Sequence, residues 1–121
     1  MITQKFYLFN KAYDSLHPSM LQALAGIARE CQRLDLEVSV CGEMAGEAMG
    51  SLVLTGLGYR TFSMNGRSVA RVKYLLRQLV LTEVQALAQH LLAARSASEV
   101  RQWIALFLEE RGLRALARGG R

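Results

Sequence analysis

The spacing of apolar residues along the chain predicts its first helix. After Pro18, apolar residues recur every three or four positions, at Leu21, Leu24, Ile27, Cys31 and Leu34. This is the spacing of one face of an amphipathic α-helix. Proline is pre-organised for the first turn of a helix, so the helix should begin at Pro18. Cys31 lies on its apolar face, which favours a small core residue over a functional thiol.

The pattern then changes to strict alternation. Between Asp35 and Gly42 the aliphatic positions are Leu36, Val38 and Val40, and the polar positions are Glu37, Ser39 and Cys41. A period of two predicts a strand with one aliphatic and one polar face. Gly42 and Gly46 bracket a predicted loop, which is followed by a helix over Glu47–Leu57 and a second strand over Tyr59–Met64. A connection of this length predicts that the two strands are parallel.

Three further helices follow, with apolar stripes that start near Val69, Val84 and Val100. Asn65 and Gly66 form a predicted turn, after which Ser68 can cap the first of these helices. Capping boxes are predicted for the other two, from Thr82 with Gln85 and from Ser96 with Glu99. Gly112 ends the last helix, and the two closing helices suggest a helical hairpin.

The predicted fold is therefore α/β, with about two parallel strands and about five helices. A parallel pair has two faces to cover and two open edges, and parallel sheets are normally buried among further strands. This difficulty predicts a fragment of a larger architecture, to which either further strands or a second copy of the chain must contribute.

Composition narrows the class of protein. A hydrophobic share of 51% supplies the core of one domain, and the apolar runs are shorter than the ~20 residues of a membrane-spanning helix. The first residues lack the features of a secretory signal, so we expect a cytoplasmic protein that does not bind membranes. The net charge of +5 raises the question of nucleic acid. Because the basic residues are dispersed and lack aromatic partners, a solvated basic surface is favoured and no nucleic acid is expected.

Cys41 is the residue with the clearest chemical potential. It ends the first predicted strand on the polar face, and side chains at the carboxyl ends of strands form the active sites of (β/α) barrels. Its neighbours Glu43 and Glu47 are not the cations that activate a nucleophilic thiolate. An ordinary thiol, with a pKa of about 8.5, is mostly protonated at neutral pH, so proton donation is the more natural role. A buried structural cysteine is the alternative that the spacing leaves open.

Long ordered motifs then connect the chain to a known family. The segment VCGEMAGEAMGSLVLTGLGYRTFSMNGRSVARVKYLLR resembles the end of the phosphoenolpyruvate (PEP)-binding barrel in enzyme I of the bacterial phosphotransferase system. DSLHPSMLQALAGIARE resembles the helix before it, and the combination of YDSLHP, CGEMAG and GLGYR is most similar to the nitrogen-type paralogue. The resemblance implies a C-terminal fragment of a TIM-type (β/α)8 barrel, with residues 1–12 as a divergent or truncated start, 13–80 as the end of the barrel, and 81–121 as the helical hairpin and basic tail.

The resemblance also implies an activity. Members of the family transfer phosphoryl from PEP to a histidine on a mobile domain and then to a carrier protein similar to HPr, with magnesium as cofactor. The family's motif cysteine, which protonates the enolate to give pyruvate, corresponds to Cys41. The metal ligands, the phosphate-contacting arginines and the phosphorylated histidine correspond to no residues here, so no metal ligand is assigned and substrate-binding residues remain unknown. We therefore expect no turnover from the isolated chain.

Three other residues and one other function are also candidates. His17 precedes Pro18 at a helix entrance, where a capping role is favoured over phosphoryl acceptance, and His90 is expected at the surface. Arg67 follows the second strand, where many barrels hold phosphate, but the resemblance gives it no catalytic role. The alternative function is a self-association module, because open strand edges should drive formation of a homodimer or a higher oligomer.

Overall fold

The computed structural model describes residues 3–7 and 14–118, which contain three strands and six α-helices. In chain order these are β1 Thr3–Tyr7, α1 Pro18–Arg33, β2 Glu37–Cys41, α2 Glu43–Gly46, α3 Ala48–Leu57, β3 Thr61–Ser63, α4 Gly66–Arg77, α5 Leu81–Leu91 and α6 Ala97–Glu110, with a closing 3-10 helix over Arg114–Arg118. Residues 1–2 and 8–12 of the predicted divergent start, and 119–121 of the predicted basic tail, lie outside the described residues.

The three strands form one parallel sheet in the order β1-β2-β3. The two strands expected from the sequence are confirmed as a parallel pair. β1 lies within the segment assigned to the divergent start and was not expected. Its five residues, TQKFY, do not alternate between apolar and polar positions, and pairing along the whole of β2 supplies the hydrogen bonds that define it.

The helices pack into one continuous core. Fully buried side chains come from helices on both sides of residue 80, including Leu21, Leu52, Leu91 and Ile104. α3 is the centre of this core, because Leu52, Val53 and Leu54 are all inaccessible to solvent. The closing helices therefore share the core of the preceding segment, and the boundaries at residues 13 and 81 stay predictions. Within residues 14–118, no helix combines the length and the apolarity needed to cross a bilayer.

Two predicted helix starts are confirmed in detail. α1 begins at Pro18, and the Ser19 N–H donates to Nδ1 of His17 at 3.1 Å, so His17 caps the helix. α6 begins after Ser96, whose hydroxyl accepts the N–H of Glu99 at 3.1 Å. These side-chain acceptors satisfy N–H groups that the helix leaves without partners.

Three local predictions are wrong. Asn65, not Ser68, caps α4, because the Asn65 side chain accepts the Ser68 N–H at 2.9 Å. α5 starts one residue ahead of Thr82, after Val80, so the predicted capping box is not formed. The predicted loop between Gly42 and Gly46 contains the single helical turn α2. In the first two cases the helix cap lies two or three residues earlier than the side-chain pattern indicated, and α2 begins four residues before the predicted helix over Glu47–Leu57.

Candidate functional site

The carboxyl ends of the strands meet at one edge of the sheet, where each strand passes into a helix. Cys41 is the last residue of β2, in register with Tyr7 of β1 and Ser63 of β3. Gly42 follows with φ 118°, a backbone conformation that glycine adopts readily and other residues rarely do. This turn lets α2 start at Glu43, two residues after Cys41, and it places Cys41 at the edge of the sheet.

Close packing holds the segment that follows Cys41. A Cβ on Gly50 would lie 2.2 Å from the carbonyl oxygen of Met44, so α3 crosses directly against α2. A Cβ on Gly46 would lie 3.1 Å from Oγ of Ser68, which brings the end of α2 against the start of α4. The small residues of this motif therefore allow three helix termini to meet beside Cys41.

The two cysteines occupy different environments. Cys31 is buried on α1, as predicted, whereas Cys41 is half-buried at the end of β2. Val40 lies on the opposite face of the strand and is 1% exposed. The predicted division of β2 into an aliphatic face towards the helices and a polar face away from them is thus present in the structure, and it leaves Cys41 on the accessible side.

A cleft of about 600 Å³, here called the strand-end cleft, opens beyond β2 and β3. Its lining includes Gly42, which follows Cys41, and Ser63, the register partner of Cys41. It contains two carboxylates and two guanidinium groups, and it is lined by Gly42, Glu43, Gly46, Glu47, Ser63, Met64, Asn65, Arg67, Ser68 and Arg71. The cleft can therefore present hydrogen-bond donors and both signs of charge to a small polar molecule.

A charged cluster adjoins the cleft through Glu47, which is one of the lining residues. Burial, together with the nearby Glu43 carboxylate, raises the pKa of Glu47. Arg101 of α6 opposes this effect through its positive charge. Arg101 also donates to the Asp14 carboxylate, and this hydrogen bond holds the pKa of Asp14 below its usual value.

The structure separates the residues that the sequence singled out. Arg67 is exposed and lines the cleft, and His17 serves as the cap of α1. His90 is exposed on α5, away from the cleft lining, and stacks on Trp103 with ring centroids 4.2 Å apart. Sequence reasoning missed Arg71, Asp14 and Arg101, although the turn around Asn65 marked the start of the helix that carries Arg71.

The same residues bear on whether a metal ion could be held. Across residues 3–7 and 14–118, no three or more histidine, cysteine, aspartate or glutamate residues are grouped to hold a metal. Magnesium prefers several oxygen ligands in octahedral geometry. No carboxylate of this part of the chain is assigned as a magnesium ligand.

A comparison with protein families matches residues 4–81 to the PEP-binding domain of PEP-utilising enzymes. The matched range contains most of β1, all of β2 and β3, and the strand-end cleft. α6, which carries Arg101, lies outside it.

Curated relatives extend over more of the chain. The "Phosphoenolpyruvate-dependent phosphotransferase system" proteins of Salmonella typhimurium and Escherichia coli are each 56% identical over 108 residues, which is 89% of this chain and 14% of each relative. A "Phosphoenolpyruvate-protein phosphotransferase" of Borreliella burgdorferi is 33% identical over 96 residues, 79% of this chain and 17% of that protein. The chain thus spans less than a fifth of the length of these relatives.

Proposed function

Because the chain belongs to the PEP-binding domain family of PEP-utilising enzymes, we propose that it is a segment of a PEP-protein phosphotransferase. The observation that carries the proposal is the position of Cys41. This thiol is half-buried at the carboxyl end of β2, and residues next to it line the strand-end cleft. The motifs YDSLHP and CGEMAG support the nitrogen-type branch of the family as the parent protein.

Cys41 acts in this proposal as the general acid. Cleavage of the P–O bond of PEP sends the phosphoryl group to a histidine on another domain and leaves the enolate of pyruvate. The C3 carbon of the enolate takes the proton of the Cys41 thiol, which gives pyruvate and a thiolate. The thiolate recovers a proton from solvent. A positioned acid of this kind contributes about 10²–10⁴-fold to the rate.

The remaining parts of the reaction are assigned to regions outside this chain. We propose that β1, β2 and β3 are consecutive strands of a (β/α)8 barrel, with phosphate and magnesium held by the other strands. None of the described carboxylates is given a part in holding magnesium. A carrier similar to HPr would accept the phosphoryl group, in the cytoplasm, and the 121-residue chain alone would be inactive.

The proposal is tested with a full-length phosphotransferase that carries this segment. Cys41→Ala should lower the rate of pyruvate formation from PEP and magnesium by at least about 10². Cys31→Ala is the matched control, because it removes a thiol that lies in the core, and it should retain most of the rate. Equal rates for both variants would contradict the role of Cys41.

The activity of the isolated chain is tested separately. The 121-residue protein should form no pyruvate from PEP with magnesium and a histidine-bearing domain added. Robust turnover would show that the phosphate and metal sites lie within this chain, and it would overturn the assignment of these sites to other strands.

The second candidate function is self-association. β1 and β3 are the edges of the described sheet, and on one face of it Glu37, Thr61 and Ser63 are exposed. Open edges of parallel sheets promote pairing with further strands. We expect light scattering during size-exclusion chromatography to give a dimer or a larger species. A monomer at all concentrations would contradict this candidate and leave the catalytic proposal unaffected.

A further inference from the structure

An ion pair connects α6 to the loop that enters α1. Nη1 and Nη2 of Arg101 lie 2.5 and 2.7 Å from Oδ2 and Oδ1 of Asp14, a bidentate arrangement between residues 87 positions apart. Such two-pronged pairs fix orientation as well as distance. Arg101 lies outside the residues matched to the family domain, whereas Asp14 lies inside them.

Asp14 in turn orders the start of α1. Its Oδ1 accepts the N–H of Leu16 at 3.1 Å, and its carbonyl oxygen accepts the N–H of His17 at 3.0 Å. Leu16 is buried in the core, and His17 caps the helix. Arg101 therefore holds a residue on which the local structure of residues 14–17 depends.

Arg101 also acts on the connection that follows Cys41. Glu47 ends this connection, and its carboxylate is repelled by Glu43 and Asp14 and attracted by Arg101. The Arg101 charge thereby offsets part of the repulsion that Glu43 and Asp14 exert on Glu47. Its removal would strengthen the net repulsion among these carboxylates, because like charges at close range repel one another.

We infer that Arg101 is a positioning residue, which holds residues 14–17 and the turn over residues 42–47 together at the carboxyl edge of the sheet. The inference rests on the proposed function for its significance, since this turn follows the general acid Cys41. Through Arg101, the closing helix α6 contributes to the candidate site. The exposed pair of Arg33 with Glu30 differs because it joins two residues of the same helix, one turn apart.

The first test measures amide hydrogen exchange in the 121-residue chain. Arg101→Gln and Asp14→Asn should each speed exchange about tenfold at Leu16, at His17 and in the segment 42–47. The double variant should exchange no faster than either single variant, because both remove the same pair. Arg33→Gln is the matched control and should change exchange only near Glu30.

The second test separates positioning from simple stabilisation. Carbon-detected NMR would follow the titration of the Glu47 carboxyl group. Arg101→Gln should move its midpoint to higher pH, because an attractive charge is lost, and Asp14→Asn should move it to lower pH, because a repulsive charge is lost. Arg101→Lys should restore the wild-type midpoint without full protection, since lysine keeps the charge but not the bidentate contact.

Three outcomes would overturn the inference: exchange that is unchanged at the segment 42–47, exchange that rises equally over the whole chain, or a Glu47 midpoint that moves in the same direction in both variants. All of these measurements are made without PEP. The inference can therefore fail while Cys41 remains essential for pyruvate formation, and the expected exchange pattern can occur even if Cys41 proves dispensable.

Discussion

The two faces of the sheet contrast sharply. On one face, Val40 packs under the helices and is 1% exposed, with Phe62 of β3 as its register partner. On the other face, Thr61 and Ser63 are exposed and Cys41 is half-buried. Stability is thus concentrated on the face covered by helices, whereas the Cys41 thiol lies on the other. Changes on the first face should alter folding, and changes on the second should alter chemistry or association.

The largest expected effect comes from placing the same charge on each face. Val40→Asp should destabilise the chain by about 3–5 kcal/mol, because a carboxylate would be buried without a partner. Thr61→Asp, one strand away on the exposed face, should change stability by less than about 0.5 kcal/mol. Urea denaturation followed by circular dichroism measures both. Similar losses in the two variants would show that the open face is also a packed interface.

The next effect concerns the packing of the covered side. A Cβ on Gly56 of α3 would lie 2.6 Å from Cβ of Ala88 and 2.7 Å from the carbonyl oxygen of Val84. Gly56→Ala should therefore cost at least about 2 kcal/mol through overpacking. Gly26→Ala is the matched control within α1, where nothing lies within 4 Å, and it should stabilise by about 0.5–1 kcal/mol. A neutral Gly56→Ala would show that α3 and α5 separate easily.

The pH dependence of stability tests the burial of Tyr59 in the same core. Its hydroxyl donates to the carbonyl oxygen of Leu24 at 2.8 Å, and burial raises its pKa from 10.0 to about 12. The stability contributed by neutral Tyr59 is complete below pH 10 and is lost as pH rises through 12. Tyr59→Phe should cost about 1 kcal/mol at pH 8 and lose less stability than the wild type between pH 10 and 12. Parallel pH curves for the two proteins would contradict the burial of the hydroxyl.

The smallest effect distinguishes two helix starts that look alike in sequence. Ser96→Ala should cost about 1 kcal/mol, because it removes the acceptor for the Glu99 N–H. Thr82→Ala should cost almost nothing, because α5 already begins at Leu81. Thermal unfolding of both variants gives the comparison. A larger loss of stability from Thr82→Ala would show that the capping box predicted from the sequence does form.

Sequence patterns predicted the features that depend on neighbouring residues. Alternation together with Gly42 placed Cys41 at the end of a strand, and Pro18 gave the start of α1. The cap of α4 was misassigned because Asn65 and Ser68 are both good capping residues, and only the backbone decides between them. β1 was missed because five mixed residues become a strand through pairing with β2.

The least predictable part of the candidate site is the Arg101–Asp14 pair. Its partners lie 87 positions apart, and neither belongs to a motif that indicates an ion pair. Local spacing carries no information on which helix ends beside which loop. Only the packing of α6 on the shared core brings the guanidinium group to the carboxyl edge of the sheet.

The contact of Gly50 with the backbone of Met44 has a consequence for how a substrate could be received. Since α2 cannot shift without displacing α3, and α3 is embedded in the core, the turn beside Cys41 has no independent hinge. The backbone that carries the thiol is thus set by the packing of the fold. Any closure over the strand-end cleft would have to come from segments other than α2.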